Sequence, residues 1–117
     1  MSDRPDIAYK VLTADQLHTL EHEGSFAGAP VDLADGYIHL STADQLAGTI
    51  DKHFAGQTDL WVAAIDLAAL GDSVRWEESR GGALFPHIYG AMPLEVVIAY
   101  GELERNDDGT VKLPVAG

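Results

Sequence analysis

The chain has 117 residues, 46% hydrophobic and 22% charged, the make-up of a single domain able to bury a core. It contains no cysteine, which excludes a disulfide scaffold, a thiol nucleophile and any thiolate zinc site. Seven Lys and Arg against 19 Asp and Glu leave a net charge of −12, the wrong sign for displacing counterions from nucleic acid or for resting on an anionic membrane.

No apolar run approaches the ~20 residues that span a bilayer, and the polar start, Met1 to Pro5, carries no signal-peptide core. A cytoplasmic protein is expected. One anionic small molecule stays compatible with this charge if a few cations converge locally.

In chain order, Ile7 to Leu12 reads as a short apolar strand. Thr13 and Gln16 form a capping box that opens a helix with Leu17 and Leu20 on its buried face, and Gly24 ends it. Ser25 to Asp35 holds a Gly, a Pro and two Asp and reads as a loop. Gly36 to Ser41 reads as a strand. Thr42 and Gln45 form a second capping box, and Leu46, Ile50 and Phe54 mark the buried face of a second helix that Gly56 stops.

Leu60 to Ile65 is a continuous apolar run, as in a strand covered on both faces. Asp66 to Asp72 reads as a turn and Val74 to Glu78 as a strand. Arg80 to Gly82 is a glycine-rich loop. Phe85 to Tyr89, interrupted by Pro86, is either an edge strand or an extended loop. Leu94 to Glu104 gives a strong strand signal, and Asn106 to Gly109 is a hairpin turn returning through Val111 and Leu113. The expected fold is a single α+β domain over 1–117, its core roughly 7–104 with a hairpin or tail at 105–117. Two small helices pack on a split mixed or antiparallel sheet.

Four segments carry more chemistry than packing needs. In the first, period-2 alternation places Tyr37, His39 and Ser41 on one strand face and the core residues Ile38 and Leu40 on the other. The plain alternative is a solvent-facing strand side. In the second, Arg80 precedes Gly81 and Gly82, whose amides can form an anion nest beside a guanidinium that grips phosphate. The plain alternative is a tight connection with an Arg–Glu surface pair. Glu77 and Glu78 point to opposite faces of a strand, so only one of them serves a given site.

In the third segment, Pro86 fixes the approach to His87, and Tyr89 shares the face of His87. Two histidines among tyrosines suit acid–base work near neutral pH. In the fourth, Glu95 opens an apolar strand, either as a functional carboxylate or as a charge guarding the edge. His18 and His22 share a helix face without the remaining pattern of a zinc site, so no metal is expected. No nucleophile elbow is present, and no phosphate-binding or dinucleotide-binding glycine motif.

Asp35-Gly36-Tyr37-Ile38-His39-Leu40-Ser41, then Trp76-Glu77 with Ser79-Arg80-Gly81-Gly82, then Phe85-Pro86-His87-Ile88-Tyr89-Gly90 with Met92-Pro93-Leu94-Glu95 form an ordered set. This set resembles the small bacterial family called domain of unknown function 952, over roughly residues 7 to 104. The resemblance implies a fold similar to that of the ADP-ribosyltransferases. On that likeness His39 and Ser41 hold a ribose, while Arg80 with the Gly81 and Gly82 amides meets a pyrophosphate. Tyr89 stacks on the base or nicotinamide, Tyr37 is a further ligand-binding residue, and His87 orients the acceptor or leaving group. Glu77 or Glu95 then stabilises positive charge on the sugar. The implied ligand is NAD or a related nucleotide, and the implied chemistry is ADP-ribosyl transfer or hydrolysis. The competing expectation is a non-catalytic module for a small metabolite or a protein partner.

Overall fold

The structure, a computed structural model, describes residues 6–78 and 82–114. The apolar first segment forms strand β1 (Ile7–Thr13) and leads directly into helix α1 (Ala14–Glu23). The join is the expected capping box: the Thr13 hydroxyl accepts from Gln16 N, and the Gln16 side chain accepts from Thr13 N. Gly24 ends the helix with φ 77°, a conformation that residues with a Cβ adopt at a cost. Leu17 and Leu20 are the buried face of α1.

The stretch expected as a loop holds a two-residue strand β2 (Ser25–Phe26) and helix α2 (Pro30–Asp35). Pro30 sits at the start of α2, where its missing N–H and fixed φ suit a first turn. Strand β3 (Ile38–His39) is shorter than expected. Helix α3 (Leu46–His53) follows, with only half of the expected capping box, in which Gln45 Oε1 accepts from Thr42 N. Burial of Leu46 and Ile50 contributes roughly 1.5–3 kcal/mol each to holding α3 in place.

Strand β4 (Leu60–Asp66) is the apolar run. Asp66 then caps a single turn, α4 (Leu67–Leu70), by accepting from Ala68 N and Ala69 N, and a 3₁₀ turn covers Gly71–Ser73. Strands β5 (Val74–Glu78), β6 (Leu84–Ile88) and β7 (Met92–Pro93) follow. Leu94–Val96 is a 3₁₀ turn instead of strand, and β8 (Val97–Glu102) comes after it. The expected C-terminal turn is present: Gly109 N donates to Asn106 O, and Arg105 bridges to Val111.

All strand pairing among the described residues is antiparallel. It builds two three-stranded sheets, β1-β4-β8 and β3-β6-β5, and a small β2-β7 pair. The first sheet is covered on both faces, as the β4 run requires. Ala63 and Ile65 join the main core with Leu12, Leu20, Ile38 and Ile88, while Val62 joins a second cluster with Leu46 and Ile50. The antiparallel α+β character holds, with four helices among the described residues instead of two. Short α2 and α4 carry too little apolar periodicity to be read without their caps.

Strand β6 corrects the edge-or-loop expectation, because it is the central strand of its sheet. Pro86 is tolerated because its carbonyl still accepts from Leu40 N, and β3 ends just where the missing donor would be needed. At the next residue the chain changes sheets: Ser41 exchanges both backbone hydrogen bonds with Tyr9 of β1.

Candidate functional site

The β3-β6-β5 register determines the site. His39 lies opposite His87, and His87 lies opposite Arg75, so one sheet face collects Tyr37 and His39, His87 and Tyr89, and Arg75 and Glu77. The Tyr37 ring stacks on His87 at 4.2 Å between centroids and lies 4.7 Å from His39 and 5.2 Å from Tyr89. The two histidine rings meet edge to face at 5.2 Å. The Arg75 guanidinium sits 5.0 Å over the Tyr89 ring.

His39 is fixed by a carboxylate that the sequence reading missed. Asp32, at the third position of α2, is 1% exposed. Its Oδ2 accepts from Ala29 N at 2.7 Å and from Lys10 Nζ at 2.9 Å. Its Oδ1 meets His39 N at 3.0 Å and His39 Nδ1 at 2.6 Å. Nε2 of the same ring lies 2.9 Å from Asp35 Oδ2. Carboxylates only accept, so both contacts are satisfied together by a ring bearing two N–H groups.

Burial pushes the Asp32 carboxyl up. The His39 hydrogen bond and the charge and hydrogen bond of Lys10 outweigh that and hold it well below the usual carboxylate range. Lys10, also buried, is pulled below its ordinary value by burial, against the attraction of Asp32. Gly28 makes room for this knot, since a Cβ there would lie 2.8 Å from the Asp32 Cβ, at a φ of +129°.

His87 is held differently. Its Nδ1 lies 2.8 Å from Glu77 Oε1, and the Tyr89 hydroxyl donates to both Glu77 oxygens at 2.8 and 3.0 Å. The hydrogen bonds from His87 and Tyr89 lower the Glu77 carboxyl below its ordinary value. The bond to Glu77 raises the Tyr89 phenol, while burial and then the charges of Asp35 and Glu77 raise Tyr37. The His87 residue is 1% exposed, and its Nε2 has no hydrogen-bonding partner among the described residues.

Beside this wall is a cleft of about 240 Å³. Strand β1 supplies Tyr9 and Val11, the sheet crossing supplies Ser41, and α3 with its C-cap residue supplies Thr49, Lys52 and Phe54. His39, Phe85 and His87 close the other side. The Ser41 and Thr49 hydroxyls lie 2.7 Å apart, and Thr49 also donates to Gln45 O. This leaves Ser41 Oγ as an acceptor. Lys52, the histidines and Asp35 together give the cleft a polar lining within an acidic whole.

Tyr37, His39, Glu77, His87 and Tyr89 are thus brought onto one face, with Ser41 at the cleft beyond it. Arg80 and Gly81 lie outside the described residues, and Gly82 is exposed with φ +81°. Glu95 is exposed on the 3₁₀ turn before β8 and makes none of the hydrogen bonds or ion pairs that join this cluster. His18 and His22 stack at 5.6 Å, and no three metal-ligating side chains gather among the described residues. No helix in them is long and apolar enough to cross a membrane. Lys10 and Asp32 had readable signals: a lone lysine in an apolar strand, and Pro30 two residues before an acid, as at a helix start.

The same arrangement of strands and helices exists in solved proteins. The crystal structure of protein CC0527 from Caulobacter crescentus is 39% identical, with a TM-score of 0.82 over 91% of this chain and 93% of that one. Its solution NMR structure gives 39% identity and a TM-score of 0.77 over 91% of each chain. No curated protein matches. The family model described as "Protein of unknown function (DUF952)" matches residues 11–100, and the chain therefore belongs to the DUF952 family.

Proposed function

We propose that the cleft beside His39 and His87 binds one end of an NAD-type nucleotide, and that the protein transfers or hydrolyses its ADP-ribosyl unit. One observation carries this reading. In a chain of net charge −12, the cleft draws Lys52, His39 and His87 from separate parts of the sequence to one concave site. Its volume of about 240 Å³ is below the ~300–1,000 Å³ of sites that enclose drug-sized ligands, so it suits one ribose or ring and leaves the phosphates outside. The ADP-ribosyltransferase-like arrangement belongs to the same proposal. In it His39 and Ser41 flank the sugar, Arg80 and its glycines take the pyrophosphate, and Glu77 supports positive charge on the sugar.

Calorimetric titration with NAD and ADP-ribose tests the binding. Arg80→Ala is expected to weaken affinity roughly ten- to a hundredfold, the worth of a charge-assisted hydrogen bond. Arg105→Ala is the control, because Arg105 is already engaged by Asp51 at 2.8 Å and by Gly109 O. Absence of binding to either nucleotide defeats the reading.

A second reading, a module that binds a small metabolite without turnover, has its own support. Both His39 nitrogens are occupied by Asp32 and Asp35, and Glu95 is not part of the cluster. Release of nicotinamide from NAD separates the two readings.

A further inference from the structure

We infer that the cleft selects its ligand by a hydrogen-bond donor: an O–H or N–H on a neutral, ring-sized group, met by the Nε2 of His87. The inference rests on the cleft being a ligand site, as proposed above, and names the chemistry of what enters it. The Glu77 carboxylate already receives the Tyr89 hydroxyl, and a carboxylate cannot donate. His87 Nδ1, 2.8 Å from it, is therefore the N–H of the ring. With its one proton on Nδ1, a neutral ring carries a bare lone pair on Nε2.

That atom is buried and without a partner among the described residues, in a residue 1% exposed. Buried polar atoms are nearly always hydrogen-bonded, and leaving one unmet is costly. His87 lines the cleft, whereas no described residue of β5, the strand that carries Glu77, does.

The rest of the cleft determines the size and polarity of the group. Tyr9, Phe54 and Phe85 give it aromatic sides, and Ser41 offers a second acceptor. An apolar cavity of about 150 Å³ holds a benzene ring. At about 240 Å³, this cleft holds one ring with polar substituents. A ribose hydroxyl and a nicotinamide carboxamide share the required donor.

Nitrogen NMR of the full chain with ¹⁵N-labelled histidine tests this directly. In the free protein His87 is expected to show a protonated Nδ1 and a bare Nε2. D-ribose and nicotinamide form the two arms, at millimolar concentration, and whichever binds moves Nε2 toward the hydrogen-bonded position. Benzene, a ring without a donor, leaves it in place. Glu77→Gln, whose amide can donate, moves the proton to Nε2 and reduces the response. His87→Phe weakens the responding probe about tenfold.

A protonated Nε2 in the free protein overturns the inference. So does an Nε2 unmoved by both donor probes, or moved equally by benzene. If ribose moves Nε2 while NAD and ADP-ribose fail to bind, the donor inference stands and the nucleotide reading falls. If NAD binds without moving Nε2, the reverse holds.

Discussion

One sheet face carries two carboxylate–histidine pairs that are built for opposite ends. Asp32 is buried, its oxygens meet four donor groups, and its partner His39 has a carboxylate at each nitrogen. Glu77 is 38% exposed, and its partner His87 has one nitrogen engaged and the other bare. The first pair uses all its hydrogen-bonding capacity internally and so fixes how α2, β1 and β3 meet. The second keeps capacity in reserve at a cleft. A saturated buried charge is a structural joint, whereas a held but unsatisfied histidine keeps a polar atom unused, the feature on which the proposed ligand site rests.

The sharpest way to break this contrast is to truncate each carboxylate. Asp32→Ala strands the buried Lys10 charge and removes two backbone caps, with an expected loss of about 3–5 kcal/mol in denaturant unfolding. Glu77→Ala is expected to cost far less, because water reaches its place. Equal losses would erase the distinction. Lys10→Met comes next, at about 1–3 kcal/mol, since Asp32 keeps its backbone and His39 donors while His39 O loses one.

Acid sensitivity follows from the same joint. Asp32 titrates well below its ordinary value in the folded state and near ~3.9 when unfolded. Its ionised form therefore adds stability above about pH 4, and that contribution is lost as pH falls through the folded value. Asp32→Asn is expected to be less stable at neutral pH and to show a flatter acid limb in a series of melts. The smallest effect belongs to the open pair. Tyr89 titrates above the ordinary phenol value chiefly because it donates to Glu77. Glu77→Gln is expected to bring it back toward that value in an ultraviolet titration, with little change in melting temperature.

The local half of this architecture was legible in the sequence. Alternation in Tyr37, Ile38, His39, Leu40 and Ser41 gave the correct faces, and the Thr13–Gln16 box gave α1. Register was not legible, because which strand lies beside Pro86 depends on contacts across the chain. The run from Gly36 to Ser41 predicts one strand, yet it divides between two sheets. Helix α2 was hidden because Gly28, Pro30 and two Asp read as a loop until Asp32 is seen to cap it. Glu77, His87 and His39 were read as separate candidates, and only strand pairing makes the first two partners and the third their neighbour.

The sheet crossing at Leu40 and Ser41 also governs when the cleft can exist. Two successive peptide units tie together Tyr9, the chain's middle and Pro86, three stretches far apart in sequence. Closing such long loops costs entropy before the contacts they permit can form, which slows the folding of proteins built this way. The cleft therefore has no local precursor. A nascent chain that has not yet released Pro86 from the ribosome lacks the wall that His87 completes, so the cleft is whole only once the second sheet has been synthesised and docked.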